Sequence, residues 1–353
     1  MELFAGIGGF RQALTLLDKD FGVNQVSVGY SEIDKAAKMT YNSVFDTRGE
    51  VDMGDIVEFN SNPINIESLP DFNLLTGGFP CQPFSLMGKK KGFEDERGTM
   101  FFQIAEIIKK KNPKYLLLEN VRNIKLHNNK KTIDVIEDKL RECGYQTVLY
   151  DTFNTKNFGL AQTRNRIFIF ACKDELQDFV FDAKVIQKVF EEIMWNTSLM
   201  IQNSTYEILD RTFDIKYYLS ERVKPTILAD GAKSFRSKSE INLMIARPLT
   251  ATMAKLHRAC EDNYYSEGFI YTDDPIEYLK TNYTKEELAK QRIRRLTPEE
   301  AFRLQGFPDY FVENAREAGV SDCQFYRQAG NAISVNTVYA ILYYLFVYLR
   351  LEA

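Results

Sequence analysis

The sequence predicts an α/β fold, a mainly parallel sheet with crossover helices interrupted by a smaller second domain. Three observations lead there. Across the first 172 residues, short apolar runs alternate with longer amphipathic stretches, the rhythm of strands feeding crossover helices. From about 180 to about 290 the chain mixes charges, aromatics and short runs without a period. Order then returns in RRLTPEEAFRLQGFP (294–308), so the irregular part reads as an insertion. The expected boundaries are 1–180 with 291–353 for the larger domain and 181–290 for the smaller.

The strands expected in chain order are LFAG (3–6), VSVGY (26–30), FNLLTG (72–77), YLLLEN (115–120) and RIFIFAC (166–172). Ligands should collect at their carboxyl ends. At the return of order, Thr297 is placed as a helix N-cap, Pro298 as the first helical residue and Glu300 as the partner completing a capping box. The closing RQAGNAISVNTVYAILYYLFVYL reads as a turn feeding a long apolar helix. Its apolar part, YAILYYLFVYL (339–349), is too short for a bilayer and is expected to be buried.

At 353 residues the chain is long enough for one large and one smaller domain. Hydrophobic residues at 44% and charged residues at 27% give the composition of a globular protein rather than a disordered one. Cys81, Cys143, Cys172, Cys260 and Cys323 lie far apart, with no C-x-x-C or C-x-x-H spacing. Neither a zinc site nor a disulfide framework is indicated, and no metal is expected. The start MELFAGIGGF lacks the charged region, long apolar run and cleavage site of a secretory signal, so a cytoplasmic protein is expected. Net charge is −4, which argues against indiscriminate polyanion binding. The charge is uneven, however. Residues 216–260 hold nine Lys and Arg against three acids, while 171–215 hold four bases and nine acids and 261–290 three bases and eight acids. A basic segment between acidic ones suits either a nucleic-acid surface or a solvated face.

FAGIGGF (4–10) follows an apolar strand and opens a helix, so Gly6, Gly8 and Gly9 would let a ligand approach the backbone closely. The dinucleotide fingerprint G-x-G-x-x-G is broken by Arg11, and no Walker A sequence exists. A nucleoside-type ligand without a pyrophosphate remains. Glu32, just past the second strand, is placed for ribose hydroxyls, and Asp55 in GDI for an adenine amino group. In GFPCQPFS, Pro80 and Pro83 exclude regular structure around Cys81. A structural cysteine more often sits in an apolar run, as Cys172 does, so Cys81 is a candidate nucleophile.

Taken in order, FAGIGGF, Glu32, Asp55, GFPCQPFS, GFEDERGTMFF, ENV (119–121), QTRNR (162–166), RRLTPEEAFRLQGFP and QAGNAISVN resemble the motifs of bacterial cytosine-5 DNA methyltransferases of the restriction-modification type. The resemblance covers nearly all of the chain except its middle. It implies a Rossmann-like catalytic domain plus a target recognition domain, with S-adenosylmethionine as cofactor and S-adenosylhomocysteine as product. Cys81 would add to carbon 6 of cytosine, and Glu119 would donate a proton to nitrogen 3, its pKa raised by burial against the base. Arg164 and Arg166 would hold the base oxygen and the catalytic loop, a nearby cation also favouring the Cys81 thiolate.

The cofactor would lie against Phe4, Ala5, Gly6, Ile7, Gly8 and Gly9, with Glu32 on the ribose and Ile33 against adenine. Asp55 and Ile56 would flank the amino group, and Pro80, Met100, Asn331 and Ala332 would line the rest. The family often has a larger aromatic where this chain has Ile33, which leaves less stacking. Only Met1 and Glu2 precede LFAG, so the first strand is short.

Carbon 6 is hidden in the duplex stack, so the target nucleotide must be flipped out. The stretch from Ser85 to Gly98, basic at Lys89, Lys90 and Lys91, then suits a mobile loop closing over the strand, with Ser85, Lys89, Lys91 and Arg97 on the DNA. In the middle domain Thr250 of RPLTAT resembles the family's backbone-contacting threonine, and Arg236, Arg247, Lys255 and Arg258 are candidates for phosphate or guanine contacts. The expected partner is double-stranded DNA, with a cognate endonuclease acting separately, no membrane, and a monomer near the bacterial nucleoid. Relatives that methylate a tRNA cytosine are the alternative; the long basic segment favours DNA. A catalytically dead DNA-binding protein would not need Cys81, Glu119 and both arginines together. A zinc cytidine deaminase would need a cysteine at Phe84 and an H-x-E, which are absent.

Overall fold

The computed structural model describes residues 1–80, 100–125, 131–231 and 237–352. They divide into two compact units. The first comprises Met1–Asn154, Asn165–Ser198 and Thr337–Ala353, and the second Thr155–Arg164 with Leu199–Asn336.

The first unit is built on a seven-stranded sheet of β1 (Glu2–Leu3), β2 (Gly29–Ser31), β3 (Val51–Asp52), β4 (Leu74–Gly78), β5 (Tyr115–Val121), β6 (Thr147–Asn154) and β7 (Asn165–Cys172), in the order β3-β2-β1-β4-β5-β7-β6. The first five are parallel; β7 runs antiparallel to both neighbours. All five expected strands are present. The two that the apolar runs did not announce, β3 and β6, are the two edges of the sheet. Strands buried on both faces read as continuous apolar runs, as in β7, where Ile167 to Cys172 are all buried. An edge strand carries a weaker signal, and β6 is half-buried along Leu149–Thr152.

Strand order reverses at β1, whose neighbours are β2 and β4. That is where an open α/β sheet leaves a crevice at its carboxyl edge. The helix Gly9–Phe21 follows β1, buries Phe10, Ala13 and Leu17 at helical spacing, and stops at Gly22, a left-handed cap whose N–H donates to the Asp18 carbonyl. Arg11, which breaks the dinucleotide fingerprint, pairs with Glu50 at 2.6 Å and donates to the Asp46 carbonyl, so it ties this helix to the residues just ahead of β3. The sheet core is aliphatic, with Leu75, Leu116, Leu118, Ile167 and Ile169 packed against Ile104, Ile107 and Ile136.

In the second unit β8 (Tyr264–Ser266) and β9 (Ile293–Arg295) form an antiparallel pair, and Leu219, Ile227, Leu228, Tyr264 and Ile293 form a small apolar cluster. Short helices surround them, among them Pro298–Arg303, where Thr297 and Glu300 complete the expected capping box. The helical run Asp322–Tyr348 is longer than its apolar part suggested. It is long and apolar enough to cross a membrane, yet 78% of its most apolar window is buried, which is the expected buried helix.

Candidate active site

The glycine turn leaves β1 through backbone that few residues adopt. Phe4 stands at φ 54°, Gly6 at 57° and Gly8 at 85°. Glycine takes such angles freely, whereas a phenylalanine there is strained, which marks a functional turn; nothing in the sequence announced Phe4 as strained. Glu32, at the carboxyl end of β2, locks the turn, because Oε2 accepts from the Gly6 amide at 2.8 Å and Oε1 from the Asp34 amide at 2.7 Å. Asp55 caps the helix Ile56–Asn60 by accepting from the Val57 amide at 2.8 Å. A carboxylate so engaged retains further lone pairs for a ligand donor.

A cavity of about 300 Å³ opens among these residues. Phe4, Glu32, Ile33, Asp55 and Ile56 line it, with Pro80 and Met100 from the far side of the switch point. Ser31, Gly54 and Val57 also contribute; no motif marks them, although each adjoins a residue that a motif does mark. Ile33 is 69% exposed, as an apolar side chain awaiting a flat partner would be. Ala5, Ile7, Gly8 and Gly9 lie behind this wall in the turn and the first turn of the helix. Asn331 and Ala332 belong to the second unit. The lining suits an adenosine: two carboxylates accept from hydroxyl and amino donors while Phe4, Ile33 and Ile56 offer apolar faces. A roomier cavity of about 570 Å³ lies at the amino ends of the strands, walled by Leu14, Val26, Phe72 and Leu74 among others. Open α/β sheets bind ligands at the opposite edge, so the smaller cavity is the better candidate.

Glu119 sits near the carboxyl end of β5, opposite Gly78 of β4 and Phe168 of β7. Val121 is registered with Arg166, so Glu119 and Arg166 are diagonal neighbours on one face, within reach of long side chains. Arg166 Nε lies 2.9 Å from Glu119 Oε1, with the two side chains 21% and 12% exposed. The pair is charge-assisted and fixes the orientation of the carboxylate. A Cβ added at Gly78 would stand 3.3 Å from Glu119 Oε2, so the carboxylate lies against the end of β4, three residues before Cys81. Asn120 follows Glu119 in the ENV motif. It is buried and donates to the Phe79 carbonyl at 2.8 Å, pinning the exit toward Pro80. Cys81, Ser85, Lys89, Lys91, Arg97 and Arg236 lie outside the described residues.

Two residues before Arg166 the chain is in the second unit, and Arg164 has a different setting. Its guanidinium, 2% exposed, donates to the carbonyls of Leu249 (3.1 Å), Gly330 (3.0 Å) and Ala332 (2.9 Å). With these donors engaged by backbone, the arrangement is that of a structural clamp rather than of a group contacting a base. Thr250 has a buried hydroxyl oxygen without a hydrogen-bond partner. Arg258 is engaged by Glu261 and the Thr252 hydroxyl, and Arg247 by the carbonyls of Glu240 and Asp262. Lys255 is exposed. Arg247 and Arg258 thus brace the basic segment internally. Burial, and then Arg295, push the His257 imidazole down.

Beneath this segment Arg294 and Glu300, both side chains 0% exposed, form a bidentate pair at 2.7 Å. Burial pushes Glu300 up against the opposing pull of Arg294. The carboxylate also accepts from the Thr297 and Asp210 amides, so it joins the capping box to a distant loop.

The reversed strand order, the glycine turn and the acids after β2 and β3 define a Rossmann-like methyltransferase fold of the S-adenosylmethionine-dependent class. A family model described as C-5 cytosine-specific DNA methylase matches residues 1–346. The type II methyltransferase M1.ScrFI of Lactococcus lactis subsp. cremoris is 36% identical over 352 residues, covering 97% of this chain and 76% of its own. M.HaeII of Haemophilus aegyptius is 37% identical over 341 residues, covering 97% and 90%. Among solved structures the S. pombe Dnmt2 methyltransferase matches with a TM-score of 0.69 and 19% identity, over 99% of this chain and 98% of that one; it speaks for the fold alone. The chain belongs to the C-5 cytosine-specific DNA methylase family and is a DNA (cytosine-5)-methyltransferase.

Proposed function

We propose that this enzyme methylates carbon 5 of one flipped-out cytosine within a short duplex sequence through a covalent Cys81 adduct, and that it protects host DNA from a separate endonuclease. The observation that supports the reading is the Glu119–Arg166 pair, an oriented carboxyl group beside Gly78 at the end of β4, the strand whose sequence leads three residues later to the proline-flanked Cys81. The type II designations of the relatives support the protective role.

Carbon 5 of cytosine is a weak nucleophile within an aromatic ring. Addition of the Cys81 thiolate to carbon 6 breaks the 5,6 double bond, and its electron pair makes carbon 5 enamine-like. Negative charge that would gather at nitrogen 3 is relieved when Glu119 gives its proton there, while Arg166 holds the carboxyl group and is the proposed partner of the base oxygen. Bound in the 300 Å³ cavity, S-adenosylmethionine would supply an electrophilic methyl group on a sulfonium, with Glu32 on its ribose, Asp55 on its amino group and Ile33 against its adenine. With carbon 5 methylated, its proton passes to water, the thiolate leaves carbon 6 and the nitrogen 3 proton returns to Glu119, which restores the aromatic ring. In the second unit Thr250 and Lys255 are the proposed backbone contacts.

Transfer of labelled methyl groups to duplex DNA and to tRNA, followed by bisulfite sequencing of DNA from expressing cells, tests the substrate. Labelled duplex and a single repeated sequence context are expected; labelling of tRNA alone would move the activity to RNA. Cys81→Ser should lower turnover at least about a thousandfold and abolish trapping by 5-fluorocytosine duplexes, with DNA binding retained.

A further inference from the structure

The segment Ala161–Arg164 is the hub of the second unit. It forms a bridge with Ala246, through Ala246 N–H to the Ala161 carbonyl at 2.8 Å and Thr163 N–H to the Ala246 carbonyl at 2.9 Å. Buried Gln162 accepts from the Leu249 amide at 3.0 Å and donates to the Leu304 carbonyl at 2.9 Å. Arg164 then reaches the Leu249 carbonyl with one terminal nitrogen and those of Gly330 and Ala332 with the other. From the opposite side Gly330 abuts the same stretch. A Cβ there would stand 2.2 Å from the Thr250 carbonyl carbon and 2.3 Å from the Ala251 nitrogen, distances that no side chain tolerates. The stretch Leu249–Ala251 is therefore held both by a buried planar cation and by close backbone packing at Gly330. Within it the Thr250 hydroxyl is buried and without a partner; such a group calls for an explanation.

We propose that Arg164 and Gly330 are positioning residues that clamp Leu249–Ala251 to Gly330–Ala332, so that the Thr250 hydroxyl and the Asn331 side chain are set by one guanidinium. The proposal rests on the reading that Thr250 faces DNA, and it replaces a base-contacting role for Arg164. A planar fork of donors serves three carbonyls at once; a lysine ammonium is a single point on a flexible stem and loses at least one of them. Thr250 would then be misplaced while Cys81, Glu119 and Arg166 keep their chemistry.

The test uses the full-length enzyme, a duplex carrying its mapped target and S-adenosylmethionine. For Arg164→Lys, KM for DNA should rise about tenfold, the equivalent of one lost hydrogen bond to a charged group. KM for the cofactor and kcat should stay within about threefold. Gly330→Ala, which leaves the guanidinium intact, should give the same split by displacing the Thr250 backbone. The double variant should be less impaired than the product of the single effects, since both act on one contact. Melting curves separate a folded variant from an unfolded one, and Gly330→Ala stands as the test if Arg164→Lys does not fold. An unchanged KM for DNA in a folded variant would overturn the clamp. A fall in kcat with KM for DNA unchanged would also overturn it and place Arg164 on the reacting base. A wild-type enzyme inactive on duplex DNA would instead fault the assigned substrate.

Discussion

The two compact units hold themselves together by opposite means. In the first, an aliphatic sheet core carries the fold and polar side chains gather at the carboxyl edge, where Glu32, Asp55 and Glu119 stand at or beyond strand ends. In the second, regular structure is sparse, and buried polar groups such as Arg164, Gln162, Arg294 and Glu300 join distant stretches of chain. Hydrophobic burial is undirected and tolerates exchange of similar shapes, whereas a buried fork of hydrogen bonds fixes one geometry at a desolvation cost. The second arrangement therefore suits a unit that is short of regular structure and must still hold distant stretches of chain in one geometry.

Substitutions at matched positions would sharpen or break this contrast. The largest effect is expected at Glu119→Gln. The amide keeps the shape but cannot supply the proton to nitrogen 3, so kcat should fall about 10²- to 10⁴-fold with the melting temperature nearly unchanged; rapid-quench methyl transfer beside a melting curve checks both. A loss of stability without a specific loss of kcat would mean that Glu119 serves the fold. Next comes Arg294→Met, which strands a buried carboxylate and should cost about 3–5 kcal/mol in urea unfolding of the second unit. Adding Glu300→Leu should recover most of that, because paired apolar residues relieve the desolvation. Failure to recover would show that the pair's links to Thr297 and Asp210 matter more than its charge. The smallest effect is expected at Ile33→Phe. An aromatic face against adenine should tighten cofactor binding by roughly tenfold in calorimetry; weaker binding would mean that the cavity accepts no larger side chain.

The same contrast explains what the sequence disclosed. Central strands and the glycine turn were legible because two-sided burial and positive φ each leave a residue-type signature, as in RIFIFAC and at Gly6 and Gly8. The edge strands β3 and β6 were not, since one exposed face dilutes the apolar run. Within the candidate site, seven of the residues that line the cavity could be chosen from motif order. The pairing of Glu119 with Arg166 was approached only as two separate roles, because cross-strand register is not written in either strand alone. Arg164 misled for a related reason. Its motif neighbours Arg166 by two residues, but its partners lie more than eighty residues away, and only the folded chain reveals that a basic side chain has been turned inward onto carbonyls.

The reversed direction of β7 has a consequence for how such a chain can change. Because β5 and β7 run oppositely, the end of one meets the beginning of the other, and an arginine at a strand's first turn of pleat arrives beside a glutamate near another's last. Deleting one residue between Asn165 and Cys172 would send every later side chain to the reverse face. Length variation must therefore accumulate outside that strand, in the loops at its ends, while this ladder stays in step.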